Sequence, residues 1–166
     1  MPHQRWTAGE TRPKLDQFLK PVLRAARLDL DYELSAGGGD QKFITPDLTV
    51  SFEGKDIDLL LAHKGELLLA IEHLCLEAMG VSHADRYRLI FDARDYRIMR
   101  IDELCLSAET AAEKVKRTGI PFKFHPMTSR ERRIIHLALR DDPDVDTASE
   151  GVPPHRHAVV RAAEKH

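Results

Sequence analysis

The stretch Ser129–Arg140, SRERRIIHLALR, decides the fold of the C-terminal part of this chain. It predicts one amphipathic helix. Thr128 and Glu131 have the T-x-x-E spacing of a capping box, in which each side chain binds an otherwise unpaired backbone amide at the helix start. The apolar residues recur at helical spacing and predict the buried face. Ile134, Leu137 and Ala138 mark this face, and Ile135 and Leu139 widen it.

A second face of the same predicted helix carries positive charge. Arg132, His136 and Arg140 follow one another at intervals of four residues, so they share one side of the helix. An arginine and a histidine one turn apart can hold one phosphate group between them, which makes the helix a candidate nucleic-acid contact. Arg130 and Arg133 add to the basic strip.

Two predicted strands, joined by a turn at Val152-Pro153-Pro154, follow this helix. The spacing Arg-x-x-x-His, then D-x-x-T-x-S-E-G over residues 144–151 and a closing strand over 155–160, resembles the R-three-H domain of single-stranded nucleic-acid-binding proteins. The resemblance implies that Arg132 and His136 contact phosphate or sugar. It also implies contributions from the residues that shape the adjoining loop or reach the same surface, namely Ser149, Glu150, Gly151 and Arg156.

The N-terminal part of the chain predicts a second α+β domain from alternating and helical apolar patterns. Pro21 is expected to kink or split the first helix. The predicted elements are helix 13–26, strands 28–34 and 48–54, helix 56–61, a longer helix ending at Gly80, and strand 86–92. This order of helix, strand, strand, helix, loop, helix and strand resembles a type II KH domain.

The loop between the two central helices reads Ala62-His63-Lys64-Gly65, where a KH domain has G-x-x-G. Glycine lets the backbone approach phosphates, and the following helix end offers free N–H groups. His63 and Lys64 supply positive charge and Gly65 keeps the second glycine, so these three are candidate RNA contacts. Ala62 replaces the first glycine, and its methyl group is expected to weaken the contact. The alternative is a KH-shaped scaffold that has lost most binding.

The combined arrangement resembles the Jag family, also called KhpB or SpoIIIJ-associated proteins. The expected division is a tail at 1–12, a KH-like domain at 13–94, a connecting helix at 95–119, an R-three-H domain at 120–162 and a tail at 163–166. The resemblance implies a cytoplasmic bacterial protein that binds single-stranded RNA, with single-stranded DNA as a second ligand. It further implies post-transcriptional regulation or RNA chaperoning linked to cell shape and elongation, and a small KhpA-like KH partner. Because the sequence has no long apolar run, no membrane insertion is expected.

The composition of the chain restricts where a nucleic-acid surface can lie and what the cysteines and glycines can do. Hydrophobic residues make up 42% of 166 residues and the net charge is −2, so a packed core is expected and any nucleic-acid surface must be local. Cys75 and Cys105 lie in apolar helical patterns, which favours buried, reduced thiols over a disulfide or a metal site. The glycines at 37–39 favour an inter-strand loop over a phosphate loop, because no Lys-Ser/Thr pair follows. No cofactor is expected.

Two other classes of function remain open at this point. The altered loop and the near-neutral charge favour a protein-interaction scaffold. For an enzyme, the best candidate site is a metal site built from histidines. His155 and His157 would share one face of a predicted strand, because alternate residues of a strand point to the same side, and His125 and His136 are near in sequence. No cysteine or acidic residue completes a ligand set at a recognised spacing, so we expect a basic strand beside the RNA surface and no enzyme. Aromatic residues are few, at 6%, so extensive base stacking is not expected.

Overall fold

A computed structural model describes residues 6–37, 43 and 45–164 of the chain. It divides into two compact units, Met1–Arg97 and Ile98–His166, each a mixture of helices and a small sheet. The predicted α+β class is therefore confirmed. Most of the predicted glycine loop, from Gly38 onward, lies outside the described residues, as do the ends of both predicted tails. No helix among the described residues is long and apolar enough to cross a membrane.

The first unit has the predicted KH-like order of elements. These are α1 (Ala8–Ala25), β1 (Leu30–Ala36), β2 (Leu48–Gly54), α2 (Ile57–Ala78), a short 3-10 turn (Arg86–Arg88) and β3 (Leu89–Asp92). The sheet order is β1-β2-β3, with β1 antiparallel and β3 parallel to β2. Side chains from one face of this sheet pack with the apolar stripes of α1 and α2, which forms the core.

Two predictions about α1 are wrong. The helix begins at Ala8, five residues before the expected start at Pro13, so part of the predicted tail is helical. Burial of Thr11 and the packing of Trp6 against the core stabilise this extra turn. The helix also continues through Pro21 without a break. The Pro21 ring lies on the exposed side, where water can satisfy the carbonyl that lost its amide partner.

The third strand is shorter than predicted and is buried on both faces. Residues 86–88 form the 3-10 turn, and only Leu89–Asp92 pair with β2. The pattern of alternate apolar residues misled here, because Tyr87 is 53% exposed. Arg88 fixes the turn through Asp47, with its Nη2 2.6 Å from the carboxylate and its Nε 2.8 Å away. This long-range ion pair could not be read from the local sequence.

The second unit contains most of helix α3, one further helix and a three-stranded antiparallel sheet. Its elements are α3 (Tyr96–Thr118, in the second unit from Ile98), β4 (Phe122–Lys123), α4 (Ser129–Ala138), β5 (Val145–Glu150) and β6 (His157–Ala162). The strand order is β4-β6-β5. Cys105 is buried in this unit and Cys75 in the first, which confirms the predicted burial of both side chains. Burial raises the pKa of Cys75 to about 12.

The capping box predicted at the start of α4 is confirmed. The Thr128 hydroxyl accepts from the Glu131 amide at 3.2 Å, and the Glu131 carboxylate accepts from the Thr128 amide at 2.9 Å. Arg100 on α3 also pairs with Glu131 at 2.8 Å. Burial raises the pKa of Glu131, but the Thr128 amide and the Arg100 guanidinium more than offset this, so the pKa lies below its usual value.

The ends of the predicted elements in this unit need correction. α4 stops at Ala138, so Arg140 does not share its face with Arg132 and His136. The turn that follows is held by an ion pair of 2.7 Å between Lys116 and Asp142. The closing strand begins at residue 157 and not at 155, after a turn that contains a cis peptide bond between Pro153 and Pro154. The strand expected at 121–126 is confined to β4.

Candidate nucleic-acid interface

A cavity of about 260 Å³ lies between α4 and β5. The helix contributes both the basic side chains and part of the apolar wall, because successive residues on α4 turn toward and away from the sheet. β5 contributes small polar residues, and β6 contributes the floor at Ala158. The lining consists of Ser129, Arg132, Arg133, Ile135, His136, Thr147, Ala148, Ser149 and Ala158.

The register of β5 on β6 decides which β5 side chains reach α4. Ser149 pairs with Ala158, and Thr147 is two residues earlier, so both hydroxyls lie on the same face of the sheet. The Arg132 Nε donates to the Ser149 Oγ at 3.2 Å. A hydrogen bond also joins the Thr147 Oγ1 to the His136 Nδ1. The arginine and the histidine are therefore both held by hydroxyls of one strand.

Arg132 has a further anchor in the segment before α4. Its Nη1 donates to the Met127 carbonyl at 2.8 Å, and the Met127 amide in turn donates to the Arg156 carbonyl at 3.1 Å. The Arg132 Nη2 makes no hydrogen bond within the described ranges. The guanidinium is thus fixed in direction while part of its donor set stays free, which suits a group that binds an external anion.

The cations at this site lack acidic partners. Arg132, Arg133 and Arg156 form no ion pair with any carboxylate in residues 6–37, 43 and 45–164. Burial, and then the charge of Arg156, lower the pKa of Arg132. Like-charge repulsion of this kind is relieved when an anion binds. Three arginines outside the cavity do have acidic partners, namely Arg100 with Glu131, Arg140 with Asp141 and Arg161 with Glu150.

The structure brings together some of the residues expected at this site and separates others. Four of the expected residues line the cavity, namely Arg132, Arg133, His136 and Ser149. Arg156 is near enough for its charge to act on Arg132. Arg130 lies in the first turn of α4, half-buried and outside the lining. Thr147 also lines the cavity and is not among the predicted site residues, although its spacing of two residues from Ser149 on a strand could have identified it.

Three expected residues lie elsewhere. Arg140 follows the end of α4, with its Nε 3.4 Å from the Asp141 carboxylate. Glu150 belongs to the opposite face of the sheet, because it neighbours Ser149 on the strand. There it pairs with Arg161 at 3.3 Å and Lys123 at 3.7 Å. Gly151 ends β5 with a φ of 84°, so it shapes the turn and not the cavity.

The histidines considered as possible metal ligands do not share the strand face that the sequence pattern predicts for His155 and His157. His155 lies in the turn before β6, and only His157 is on the strand, so the two do not share a strand face. The His157 Nδ1 is 3.1 Å from the His155 carbonyl oxygen. In the part of the chain that the structure describes, no group of three His, Cys, Asp or Glu side chains could hold a metal ion.

The KH-like loop of the first unit interrupts α2 where the sequence predicted. Ala62 has an extended backbone with φ −55° and ψ 153°, whereas His63, Lys64 and Gly65 follow in the left-handed region with φ of 52°, 61° and 71°. The backbone at Ala62 therefore does not require glycine. His63 and Lys64 are exposed at the tip of the loop, where they can meet a ligand.

The left-handed backbone at Gly65 favours glycine, and the space around it requires glycine. A Cβ at this position would lie 2.8 Å from the Tyr96 Cζ and 2.9 Å from its Cε1. The Tyr96 hydroxyl donates to the Lys64 carbonyl, so the ring is held over the loop. Arg94, two residues earlier, pairs with Asp58 on the first half of α2 at 2.6 Å. The segment after β3 thus supports the loop from two sides.

The fold and cavity of the second unit define a class, that of R3H-domain proteins, and the family model of the R3H domain matches residues 103–162. Over 89% of its length the chain is 31% identical to the RNA-binding protein KhpB of Clostridium symbiosum, of which it covers 64%. It is 35% identical to KhpB of Lactiplantibacillus plantarum, over 94% of this chain and 47% of that one. With KhpB of Bacillus subtilis it shares 30% identity over 89% of this chain and 73% of that one.

The chain belongs to the KhpB family, because identity at this level extends through both units. It nevertheless spans less than two thirds of the first two of these relatives, 64% and 47% of their lengths. The family model begins at residue 103, inside α3, whereas the two compact units divide at Arg97. The domain limits expected from the sequence therefore stay a prediction.

Proposed function

We propose that this chain binds single-stranded RNA, and that the cavity between α4 and β5 holds the phosphate backbone. The observation that carries the proposal is a group of three arginines, Arg132, Arg133 and Arg156, that pair with no carboxylate of the described residues, on a chain whose net charge is −2. A local cationic site on a near-neutral protein favours a polyanionic ligand. The relatives are named RNA-binding proteins, which supports the same ligand.

The available donors fit phosphate better than bases. Arg132 offers its free Nη2, and His136 offers the ring nitrogen that does not face Thr147. Contacts to phosphate and sugar fix a strand in place but carry no sequence information. We therefore expect modest sequence selectivity, with single-stranded DNA as a second ligand. The proposed role is one of binding without catalysis.

The KH-like loop is proposed as a second RNA contact. Support comes from the exposed His63 and Lys64, from the left-handed backbone that presents them, and from the start of the second half of α2, whose free amides favour anions. By resemblance to the family, the protein would act in the cytoplasm of a bacterium as a post-transcriptional regulator or RNA chaperone linked to cell shape and elongation.

The test compares two arginines of the second unit that differ in their surroundings. Arg132→Ala removes a cation of the cavity, whereas Arg161→Ala removes one that pairs with Glu150 on the opposite face of the sheet. Binding of a fluorescent single-stranded RNA to the full chain is followed by anisotropy. Arg132→Ala should weaken binding about tenfold or more, as expected for a lost charge-assisted hydrogen bond, and Arg161→Ala should change it little. Equal losses for both would refute the cavity as the site.

A second candidate function is a protein-interaction scaffold whose first unit binds a small KhpA-like KH protein. Leu59 and Leu74 favour it, because both lie on α2 and are 56% and 54% exposed. The test mixes the chain with such a KH protein and measures the mass of the complex by light scattering. Leu74→Glu should abolish a complex that uses this surface, and Leu106→Glu, on the exposed side of α3, is the matched control.

A further inference from the structure

We propose that Thr147 is a positioning residue of the cavity, which fixes the His136 ring as a donor through its Nε2–H. The inference rests on the proposed function, since it specifies how His136 meets a phosphate oxygen. It assigns a role to a residue that neither the R-x-x-x-H spacing nor the expected set of site residues includes.

The spacing of the site residues along α4 matches their spacing along β5. Arg132 and His136 are four residues apart on a helix, a rise of about 6 Å. Ser149 and Thr147 are two residues apart on a strand, a rise of about 6.6 Å. The two pairs therefore align, with Arg132 against Ser149 and His136 against Thr147, as the hydrogen bonds show.

Both His136 and Thr147 lie on elements that are held in place. The capping box at Thr128 fixes the start of α4, one turn before Arg132. Thr147 pairs with Val160 on the central strand, and its β-branched side chain has few rotamers. Thr147 is half-buried between the helix and the sheet, so its hydroxyl has a fixed position relative to the His136 ring.

The hydroxyl proton of Thr147 can set the tautomer of the His136 ring. A threonine hydroxyl donates one hydrogen bond, and in the described part of the chain the Thr147 hydroxyl has the His136 Nδ1 as its only partner. A hydroxyl that donates to Nδ1 makes this nitrogen the acceptor, so the proton of a neutral ring lies on Nε2. The Nε2 has no hydrogen-bond partner among the described residues. His136 then offers an N–H to a phosphate oxygen without first gaining a charge.

The opposite tautomer would not serve the site. If Nδ1 carried the proton and donated to the hydroxyl, a neutral ring would present the lone pair of Nε2 to the ligand. An unprotonated Nε2 has no hydrogen to donate to a phosphate oxygen, and its lone pair would repel that oxygen electrostatically. The direction of one hydroxyl proton therefore decides whether His136 attracts or repels the RNA backbone.

The tautomer can be measured in the free full-length protein. Nitrogen-15 NMR correlations of the histidine rings distinguish Nε2–H from Nδ1–H, and loss of one ring system in His136→Gln identifies the signal. The measurement is made at mildly alkaline pH, where an ordinary imidazole with a pKa of about 6.5 is neutral. The parent and Thr147→Ser, which keeps the hydroxyl, should show the Nε2–H form. Thr147→Val, which has nearly the same shape, should show a mixture of the two forms.

RNA affinity gives the second readout. Thr147→Val should bind single-stranded RNA about fivefold more weakly, as expected for one hydrogen bond, and Thr147→Ser should bind like the parent. An Nδ1–H ring in a parent that binds RNA would overturn the positioning role and leave the proposed function intact. An Nε2–H ring in a parent that does not bind RNA would refute the proposed function and leave the positioning role intact. Unchanged tautomer and affinity in Thr147→Val would exclude Thr147 from this role.

Discussion

Gly65→Ala is expected to destabilise the first unit by about 2–3 kcal/mol. The residue has a φ of 71°, and a non-glycine residue in this region costs about 1–2 kcal/mol. The new Cβ would also lie 2.8 Å from the Tyr96 Cζ, closer than side chains tolerate. Because the Tyr96 hydroxyl is bound to the Lys64 carbonyl, the ring cannot move aside without loss of that hydrogen bond, which adds about 1 kcal/mol.

Gly80→Ala is the matched control. Gly80 has a φ of 67°, nearly that of Gly65, but a Cβ there would meet nothing within 4 Å. The difference between the two variants therefore isolates the contact with Tyr96. Urea unfolding of the full chain, followed by fluorescence of Trp6, reports on the first unit, because Trp6 is the single tryptophan and packs against its core. Equal destabilisation by the two substitutions would refute the support of the loop by Tyr96.

Three further predictions concern the loop and the start of α4. Tyr96→Phe should destabilise the first unit by about 0.5–1.5 kcal/mol in the same urea assay, and a cost near zero would show that the hydroxyl is dispensable. Ala62→Gly should raise RNA affinity and Lys64→Glu should lower it, as measured by anisotropy; parent-like binding of both would assign the loop to a scaffold. The pKa of Glu131 is lower in the folded state than the unfolded value of 4.5. The ionised Glu131 therefore stabilises the fold above pH 4.5, and this stabilisation is lost as the pH falls through the folded pKa. Glu131→Gln should accordingly make the melting temperature less dependent on pH in the acid range.

Elements with a strong local signal were predicted well from the sequence. The capping box at Thr128 and the apolar period of α4 lie within a dozen residues, so no distant contact was needed to identify this helix. The alternation in β1 and β2 likewise follows from one buried face. The interruption of α2 at residues 62–65 was also predicted, because it combines a glycine with a break in apolar spacing.

Features that depend on distant contacts were not predicted. The 3-10 turn before β3 is held by the pair of Arg88 with Asp47, forty-one residues away. The end of α4 before Arg140 is followed by a turn that the ion pair of Asp142 with Lys116 on α3 holds, and this pair is not a local signal. The separation of Glu150 from the cavity required the register of β5 on β6, which fixes the face of every side chain on the strand.

The salt dependence of RNA binding tests the central claim most directly. For single strands, each neutralised phosphate contributes about 0.7 to the slope of log affinity against log salt. If Arg133 and Arg156 each contact a phosphate, the double substitution Arg133→Ala/Arg156→Ala should reduce the magnitude of the slope by about 1.4, and Arg161→Ala should leave it unchanged. A slope equal to that of the parent in the double variant would contradict the assignment of these two arginines to the RNA backbone.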